Sequence, residues 1–332
     1  MTQFLLIKGR PGTGLGDHII TLVSGLLYAS RHGLTACVDW RDGSLAPKGC
    51  NAFPELFQVE GLAMCDAVPE TEDVQPVVWR DRLGALTGEL YDENGGGVWD
   101  RAAFARRYSV QVLAAPTAEV SVHVLCDHLR ELAREMFPGG DVDDSLRAFI
   151  RDHIRTAPGV EEEASKVLSG SKAGVTGLHV RMTDKSPARA EDYSRCLRGL
   201  GAEARAQPIF LATDSSRAES EIRRLLPKAR LITREKWMPQ GLTPIHLSAD
   251  NPDLLQTTRD ALVEMRTLSL CSPLVVHPAS SFGLCAGFFC QGQVVDVSTR
   301  SHRPLASRVA ARLWRMARRG FDPLLTGAQK ST

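Results

Sequence analysis

Three charged residues follow a short apolar run near the middle of the chain, in the stretch "GLHVRMTDK" at residues 177–185. The run "VTGLHV" has the composition of a buried β-strand, whereas Arg181, Asp184 and Lys185 need water, a partner or a ligand. In α/β proteins the carboxyl ends of parallel strands open onto the ligand crevice. The stretch therefore predicts an anion-binding site at the end of this strand.

A second candidate site is the glycine-rich turn "GRPGTGLGDH", which contains Gly9, Gly12, Gly14 and Gly16. Glycines between a first strand and a first helix allow a tight turn. They also let backbone N–H groups approach a ligand at the helix N-terminus. A turn that binds no ligand is the simpler alternative, because glycine is common in turns of every kind.

Asp39, at the end of the second predicted strand, raises the alternative of a nicotinamide-dependent oxidoreductase. The dinucleotide-binding fingerprint has a third glycine where this chain has Asp17, and a carboxylate there would repel a pyrophosphate. A P-loop is excluded, because no Gly-Lys-Ser/Thr follows the glycines. The turn alone does not decide between these functions.

Predicted strands and helices alternate along the chain, which is typical of α/β proteins with parallel sheets and right-handed crossovers. In the first half we expect strands at 4–8, 34–40, 76–79, 110–114 and 120–125. In the second half we expect strands at 174–180, 208–214, 229–233, 274–278 and 294–298. Pro138, Gly139 and Gly140 interrupt the pattern between the halves. We therefore expect two Rossmann-like domains that face a cleft.

The composition is that of a soluble globular protein, with 43% hydrophobic and 24% charged residues in 332. Lys+Arg 40 against Asp+Glu 39 leaves a net charge of +1, which argues against a nucleic-acid-binding surface. No segment has the length to cross a bilayer, so no stable membrane insertion is expected. The eight cysteines are scattered, and His123, Cys126 and His128 lack a fourth metal ligand at suitable spacing. We expect reduced thiols, no metal site and a cytoplasmic location.

Four stretches together resemble the NodZ-type α1,6-fucosyltransferases, which are related to the eukaryotic core α1,6-fucosyltransferase. They are "GTGLGDHIITLVSGLLYASRHG…VDWRD", "GLHVRMTDK", "PIFLATDS" and "LVEMRTLSLCSPLVVHPASSFG", in this order. The likeness extends from about residue 12 to residue 290 and is more specific in the second half.

The resemblance implies a GT-B fold and an inverting transfer from a GDP-sugar, without a cofactor or metal, to a glycan or small hydroxyl acceptor. Residues 1–140 would form the acceptor-side domain and 141–300 the GDP-sugar-binding domain. Residues 301–332 would form a C-terminal helix and tail that pack back across both. Gly14 and Gly16 would lie at the donor.

The resemblance also implies roles for individual charged residues. His179 and Arg181 fall on the family's H-x-R motif, whose arginine holds the β-phosphate of the departing GDP. Asp184 and Lys185 match the TDK that follows this motif in the core-fucosyltransferase branch. Asp214 in "LATDS" falls on an acidic position near the donor.

Four further residues match the donor pocket of the family. Glu264 falls where the family has an aspartate suited to guanine. Ser280 and Ser281 match paired serines whose hydroxyls and backbone amides, at a helix N-terminus, contact phosphate. Tyr193 matches a tyrosine of the donor pocket.

The sequence departs from the core-fucosyltransferase branch just after the H-x-R motif. Met182 replaces a second arginine, and the segment that follows is shorter and lacks the glutamate proposed there as general base. Glu191 and Asp192 lie at the end of this segment, and Asp17 is a third candidate base across the cleft. We favour the 191–192 pair, because it adjoins the matched tyrosine. A nucleotide-sugar-binding protein without turnover is the alternative that the missing glutamate raises.

Overall fold

The structure, a computed structural model, describes residues 2–94, 100–125, 128–171, 174–182, 188–239 and 243–300. The strands are β1 (Phe4–Lys8), β2 (Thr35–Asp39), β3 (Phe57–Val59), β4 (Val74–Gln75), β5 (Val120–His123), β6 (Ile154–Thr156), β7 (Thr176–Val180), β8 (Ile209–Thr213), β9 (Leu231–Ile232), β10 (Leu274–Val276) and β11 (Val294–Asp296). The expected C-terminal helix within 301–332 lies outside the described residues.

The α-helices alternate with these strands, as the sequence predicts. They are α1 (Leu15–His32), α2 (Phe53–Leu56), α3 (Thr87–Glu93), α4 (Arg101–Tyr108), α5 (Leu129–Met136), α6 (Val142–His153), α7 (Val160–Leu168), α8 (Ala190–Arg198), α9 (Ala202–Ala206), α10 (Ser216–Leu225), α11 (Leu254–Ser269), α12 (Ser281–Phe289) and α13 (Val297–Arg300). Short 3₁₀ helices lie at Val77–Trp79 and Ile245–Leu247. No helix in the described ranges combines the length and apolarity needed to span a membrane.

Two parallel sheets form the centres of the two halves. The first has the strand order β2-β1-β5-β4 and the second has the order β11-β10-β7-β8-β9. Leu5 and Ile7 of β1 and Leu178 and Val180 of β7 are fully buried, because both faces of a parallel sheet are covered by crossover helices. The predicted pair of Rossmann-like units, and with it the GT-B fold, is confirmed.

A third, two-stranded ladder links the halves. β3, from the first half, pairs antiparallel with β6, so that Phe57 lies opposite Thr156. The ladder places residues 154–156 beside a strand of the first half. The domain division at residue 140 stays a prediction.

Two strand predictions in the first half are wrong. Residues 77–79 form a 3₁₀ turn and not a strand, because Pro76 has no N–H to donate to the ladder of β4. Trp79 is instead buried, and its Nε1 donates to the Tyr108 carbonyl at 2.8 Å. The expected strand at 110–114 is also absent from the described structure, where Val110 bonds to Val122 and the chain then turns.

The halves meet where the N-termini of α1 and α12 pack against each other at Gly16. A Cβ atom on Gly16 would lie 2.5 Å from the backbone nitrogen of Phe282. The Sγ of Cys285 donates to the Gly16 carbonyl at 3.3 Å, which adds a polar contact across the same interface. This approach therefore requires glycine at position 16.

We predict that Gly16→Ala lowers the free energy of unfolding by about 1–3 kcal/mol, since the new methyl group overlaps backbone atoms that have no rotamer to change. Urea unfolding measures the effect. Gly84→Ala is the matched control, because a Cβ there meets nothing within 4 Å. Equal stability of both variants would show that the helix contact is not tight.

Candidate functional site

Two cavities adjoin each other between the halves. The outer cavity has a volume of about 680 Å³, and its walls come from the glycine turn, residues 42–48, α3, α4 and Arg181. The inner cavity has a volume of about 110 Å³, and its walls come from the glycine turn, α11, the N-terminus of α12 and the carboxyl ends of β7 and β8. Gly14 and Arg181 line both cavities. These two residues therefore mark where the cavities meet.

Arg181 is held at this junction by the neighbouring strand. It follows β7 directly, and Asp214 follows β8, with Val180 opposite Thr213 in the parallel register. The Asp214 Oδ2 lies 3.9 Å from the Arg181 Nε, and Oδ1 accepts from the Met182 N–H at 3.2 Å. Asp214 thus lies beside the guanidinium of Arg181, whose side chain is 15% exposed and lines both cavities.

The N-terminus of α12 presents backbone N–H groups beside the inner cavity. Ser280 is its N-cap and accepts from the Gly283 N–H at 3.5 Å. Ser281 and Phe282 line the cavity. Unpaired N–H groups and the helix dipole at such a terminus favour an anion. Ser281 therefore lines the same cavity as Arg181, whereas Ser280 caps the helix and is not among the lining residues.

Asp17 lies on the other side of the junction, in the first turn of α1. The N-cap of this helix is Gly14, so Asp17 is not a cap. Its Oδ2 accepts a hydrogen bond from the Ser281 hydroxyl at 3.3 Å. Asp17 also lines the outer cavity, so its carboxylate connects the two cavities.

Two aromatic residues that the resemblance places at the donor have different surroundings. His179 lines the inner cavity and stacks on Phe282 at 5.0 Å. Burial, together with the charges of Arg181 and Lys236, lowers the pKa of His179 to about 3, so the ring is neutral. Tyr193 packs in the core beside Val180 and is fully buried. It supports the strand that carries Arg181 and is not among the residues that line either cavity.

Glu264 forms a buried ion pair with Lys236 in the wall of the inner cavity. Burial raises the pKa of Glu264, and the Lys236 ammonium opposes this shift. Sequence reasoning missed Lys236, which lies in an irregular segment after β9. The available signal was its position just beyond the carboxyl end of a parallel strand.

Neither residue of the favoured 191–192 pair lines the outer or the inner cavity. Both lie in the first turn of α8, where Asp192 accepts from the Arg189 N–H at 3.1 Å and from Arg195 at 3.2 Å. The geometry thus ranks Asp17 above them as a base. Asp184 and Lys185 lie outside the described residues.

Asp39, which raised the nicotinamide alternative, forms ion pairs with Lys8 and Arg41. The Lys8 Nζ lies 2.5 Å from its Oδ2, and Arg41 binds both of its oxygens at 2.7 and 2.8 Å. Although burial opposes ionisation, the hydrogen bonds from Arg41 and the charge of Lys8 hold the pKa of Asp39 below its ordinary value. A carboxylate held in this way is poorly placed to bind a ribose, which counts against NAD.

Two sequence features that resemble metal sites have structural roles. His123 is a buried core histidine bonded to Ser24 at 2.8 Å, and burial lowers its pKa to about 4. The D-x-D sequence at Asp141–Asp143 caps α6, since the Asp141 side chain accepts from the Asp143 N–H. Within the described residues no group of three His, Cys, Asp or Glu side chains is arranged to hold a metal ion.

Comparisons with known proteins agree with the motif resemblance. No family model matches the chain. It is 23% identical over 327 residues to nodulation protein Z of Azorhizobium caulinodans, covering 86% of this chain and 93% of that protein. It is also 23% identical over 308 residues to nodulation protein Z of Bradyrhizobium diazoefficiens, covering 83% and 76%.

Solved structures show the same fold. The fucosyltransferase NodZ from Bradyrhizobium superposes with a TM-score of 0.62 at 19% identity, covering 91% of this chain and 97% of that one. The NodZ α1,6-fucosyltransferase co-crystallized with GDP gives the same score, with 89% and 95% covered. Arabidopsis thaliana FUT1 gives 0.52 at 13% identity, with 89% and 70% covered. The resemblance to NodZ inferred from the motifs is thereby confirmed.

We predict that Arg181→Ala weakens the binding of a nucleoside diphosphate about tenfold or more, since charge-assisted hydrogen bonds are worth about 1.5–3 kcal/mol. Arg181→Lys should recover little, because a point charge does not reproduce the planar fork. Isothermal titration measures both. Arg217→Ala, which breaks an exposed pair with Glu221, is the control. Unchanged binding by Arg181→Ala would locate the anion site elsewhere.

Proposed function

We propose that the protein is an inverting, metal-independent glycosyltransferase. It moves fucose, or a closely related sugar, from a GDP-sugar to a hydroxyl group of a glycan or small acceptor. The observation that carries this proposal is the position of Arg181, which lies between the two cavities beside the N-terminus of α12. A leaving diphosphate needs positive charge at such a junction. The relatives support the choice of donor, since NodZ structures were obtained with GDP and GDP-fucose.

The donor occupies the inner cavity, with its diphosphate toward Arg181 and α12. As the bond between the sugar and the β-phosphate oxygen breaks, negative charge grows on that oxygen. The guanidinium and the helix N–H groups are already oriented toward it, and such preorganised donors lower the barrier. Arg181 and the dipole thus perform the task for which other transferases use a cation, which is the basis for proposing metal independence.

The acceptor occupies the larger outer cavity and approaches the sugar from the side opposite the diphosphate. Its hydroxyl oxygen attacks the anomeric carbon and the configuration inverts. The hydroxyl proton passes to a carboxylate, and the electron pair of the broken bond leaves with GDP. Asp17 is the proposed base, because it lines the outer cavity and is tied to the donor side through Ser281.

The two halves then have separate tasks. Residues 1–140 would supply the acceptor side and residues 141–300 the donor side. Lys48 and Glu89, which form an ion pair at 2.8 Å, line the outer cavity and belong to segments that would set acceptor choice. We also propose a cytoplasmic location.

Transfer of fucose from GDP-fucose to a panel of oligosaccharides in the presence of EDTA tests the proposal directly. We expect turnover without added cation, and a roughly hundredfold loss in Arg181→Ala. Restoration by magnesium or manganese of a reaction that EDTA abolishes would disprove metal independence. Thermal stabilisation by NAD but not GDP would favour the oxidoreductase, and GDP binding without transfer would favour a binding protein.

We predict that Asp17→Asn loses transfer by about a hundredfold or more, since general bases contribute roughly 10²–10⁴ in rate. Its affinity for GDP should be kept. Glu191→Gln and Asp192→Asn are matched carboxylate controls that should retain most turnover. Steady-state kinetics with parallel GDP titration separates binding from chemistry. A selective loss of turnover in Glu191→Gln or Asp192→Asn would assign the base to α8 instead.

A further inference from the structure

The ion pair between Lys236 and Glu264 is buried in a position that costs desolvation energy. The two side chains are only 9% and 5% exposed. Replacing a buried ion pair by apolar side chains of similar volume is often neutral or stabilising. A pair of this kind in the wall of a ligand cavity is therefore better explained by recognition than by stability.

The pair must face a part of the donor other than the phosphates. The anion site lies at Arg181 and the N-terminus of α12, where the inner and outer cavities meet. Lys236 and Glu264 line the inner cavity but not the outer one, so the pair is offset from the junction that Arg181 marks. Apolar atoms of Ala212, Ala261 and Phe282 line the same cavity, and they suit the faces of a flat aromatic base.

The hydrogen-bond donor and acceptors of the Lys236–Glu264 pair are complementary to those along one edge of guanine. The Lys236 ammonium is a donor, and it binds Oε2 of Glu264, which together with Oε1 supplies two acceptors. Guanine presents an acceptor at O6, a donor at N1 and a donor at N2, so the ammonium would meet O6 while Oε2 and Oε1 meet N1–H and N2–H. Adenine presents a donor at N6 beside an unprotonated N1, and uracil presents a carbonyl on each side of N3–H. In the same arrangement, adenine N1 would face Oε2 of Glu264 and a uracil carbonyl would face Oε1. Each base would thus place one acceptor against another.

We propose that Lys236 is a specificity-determining residue, which binds guanine O6 while Glu264 binds the N1–H and N2–H groups. This inference rests on the proposed function, because it takes the inner cavity as the site of the nucleotide. It adds a cation to the base-recognition site, where the sequence motifs indicated only a carboxylate.

Base analogues test the assignment atom by atom. The 6-thio analogue of GDP weakens the acceptor at position 6, and inosine diphosphate lacks the N2 amino group. We expect the unaltered protein to prefer GDP over both in isothermal titration. Lys236→Met should bind GDP about tenfold to a hundredfold more weakly. It should also lose the preference over 6-thio-GDP, while its preference over inosine diphosphate remains.

Lys166→Met is the matched control, because Lys166 forms an exposed pair with Glu162 at 2.7 Å. It should leave all affinities unchanged. If Lys236→Met does not fold, the double variant Lys236→Met/Glu264→Gln removes both buried charges together. This variant should lose the preference for GDP over 6-thio-GDP and over inosine diphosphate.

Two outcomes would overturn this inference without affecting the proposed function. One is retention of the 6-thio preference by the folded Lys236→Met or double variant. The other is an equal loss of affinity for every nucleotide, which would assign the ion pair to structural support. Failure of the unaltered protein to bind GDP more tightly than UDP would instead reject the proposed function itself, and this inference with it.

Discussion

The contact between the N-termini of α1 and α12 at Gly16 is the constraint on which the site depends. Each terminus has unpaired N–H groups and the positive end of a helix dipole, and the missing side chain of Gly16 lets them lie side by side. The hydrogen bond from Ser281 to Asp17 crosses the same contact. A helix from each half is thus required before the cavities exist, so the site cannot form in either half alone.

The two sheets use charge at their strand ends in different ways. In the first sheet, Lys8, Asp39 and Arg41 satisfy one another in close contacts, and the Lys8 side chain is 2% exposed. In the second sheet, the Arg181 side chain is 15% exposed, and its Nε lies 3.9 Å from Oδ2 of Asp214. None of Lys8, Asp39 and Arg41 lines the outer or the inner cavity, whereas Arg181 lines both. This difference in position separates a structural cluster from a candidate binding group.

Local patterns predicted most of the fold, because strands buried in parallel sheets and helices with one apolar face leave strong periodic signals. The strand predicted at 76–79 does not form. That prediction relied on the apolar composition of the segment and gave too little weight to Pro76. In the site, Arg181 was predictable from its place at a strand end, whereas Asp214 and the serines were predicted from the resemblance of their motifs. The hydrogen bond between Asp17 and Ser281 was not, because it joins residues 264 positions apart. Lys236 was missed for a related reason, since an irregular segment has no period from which the direction of a side chain follows.

The ladder of β3 and β6 has a consequence for how the chain is made. β3 ends at Val59, and the strand that pairs with it begins at Ile154, so a ribosome must add almost another hundred residues before the partner emerges. Until then β3 has an open edge, and open edges invite pairing with other chains. Domains usually fold in order as they are synthesised. Here β6, the partner of β3, is translated only after the last strand of the first sheet. Complete folding of the first half therefore depends on residues of the second half.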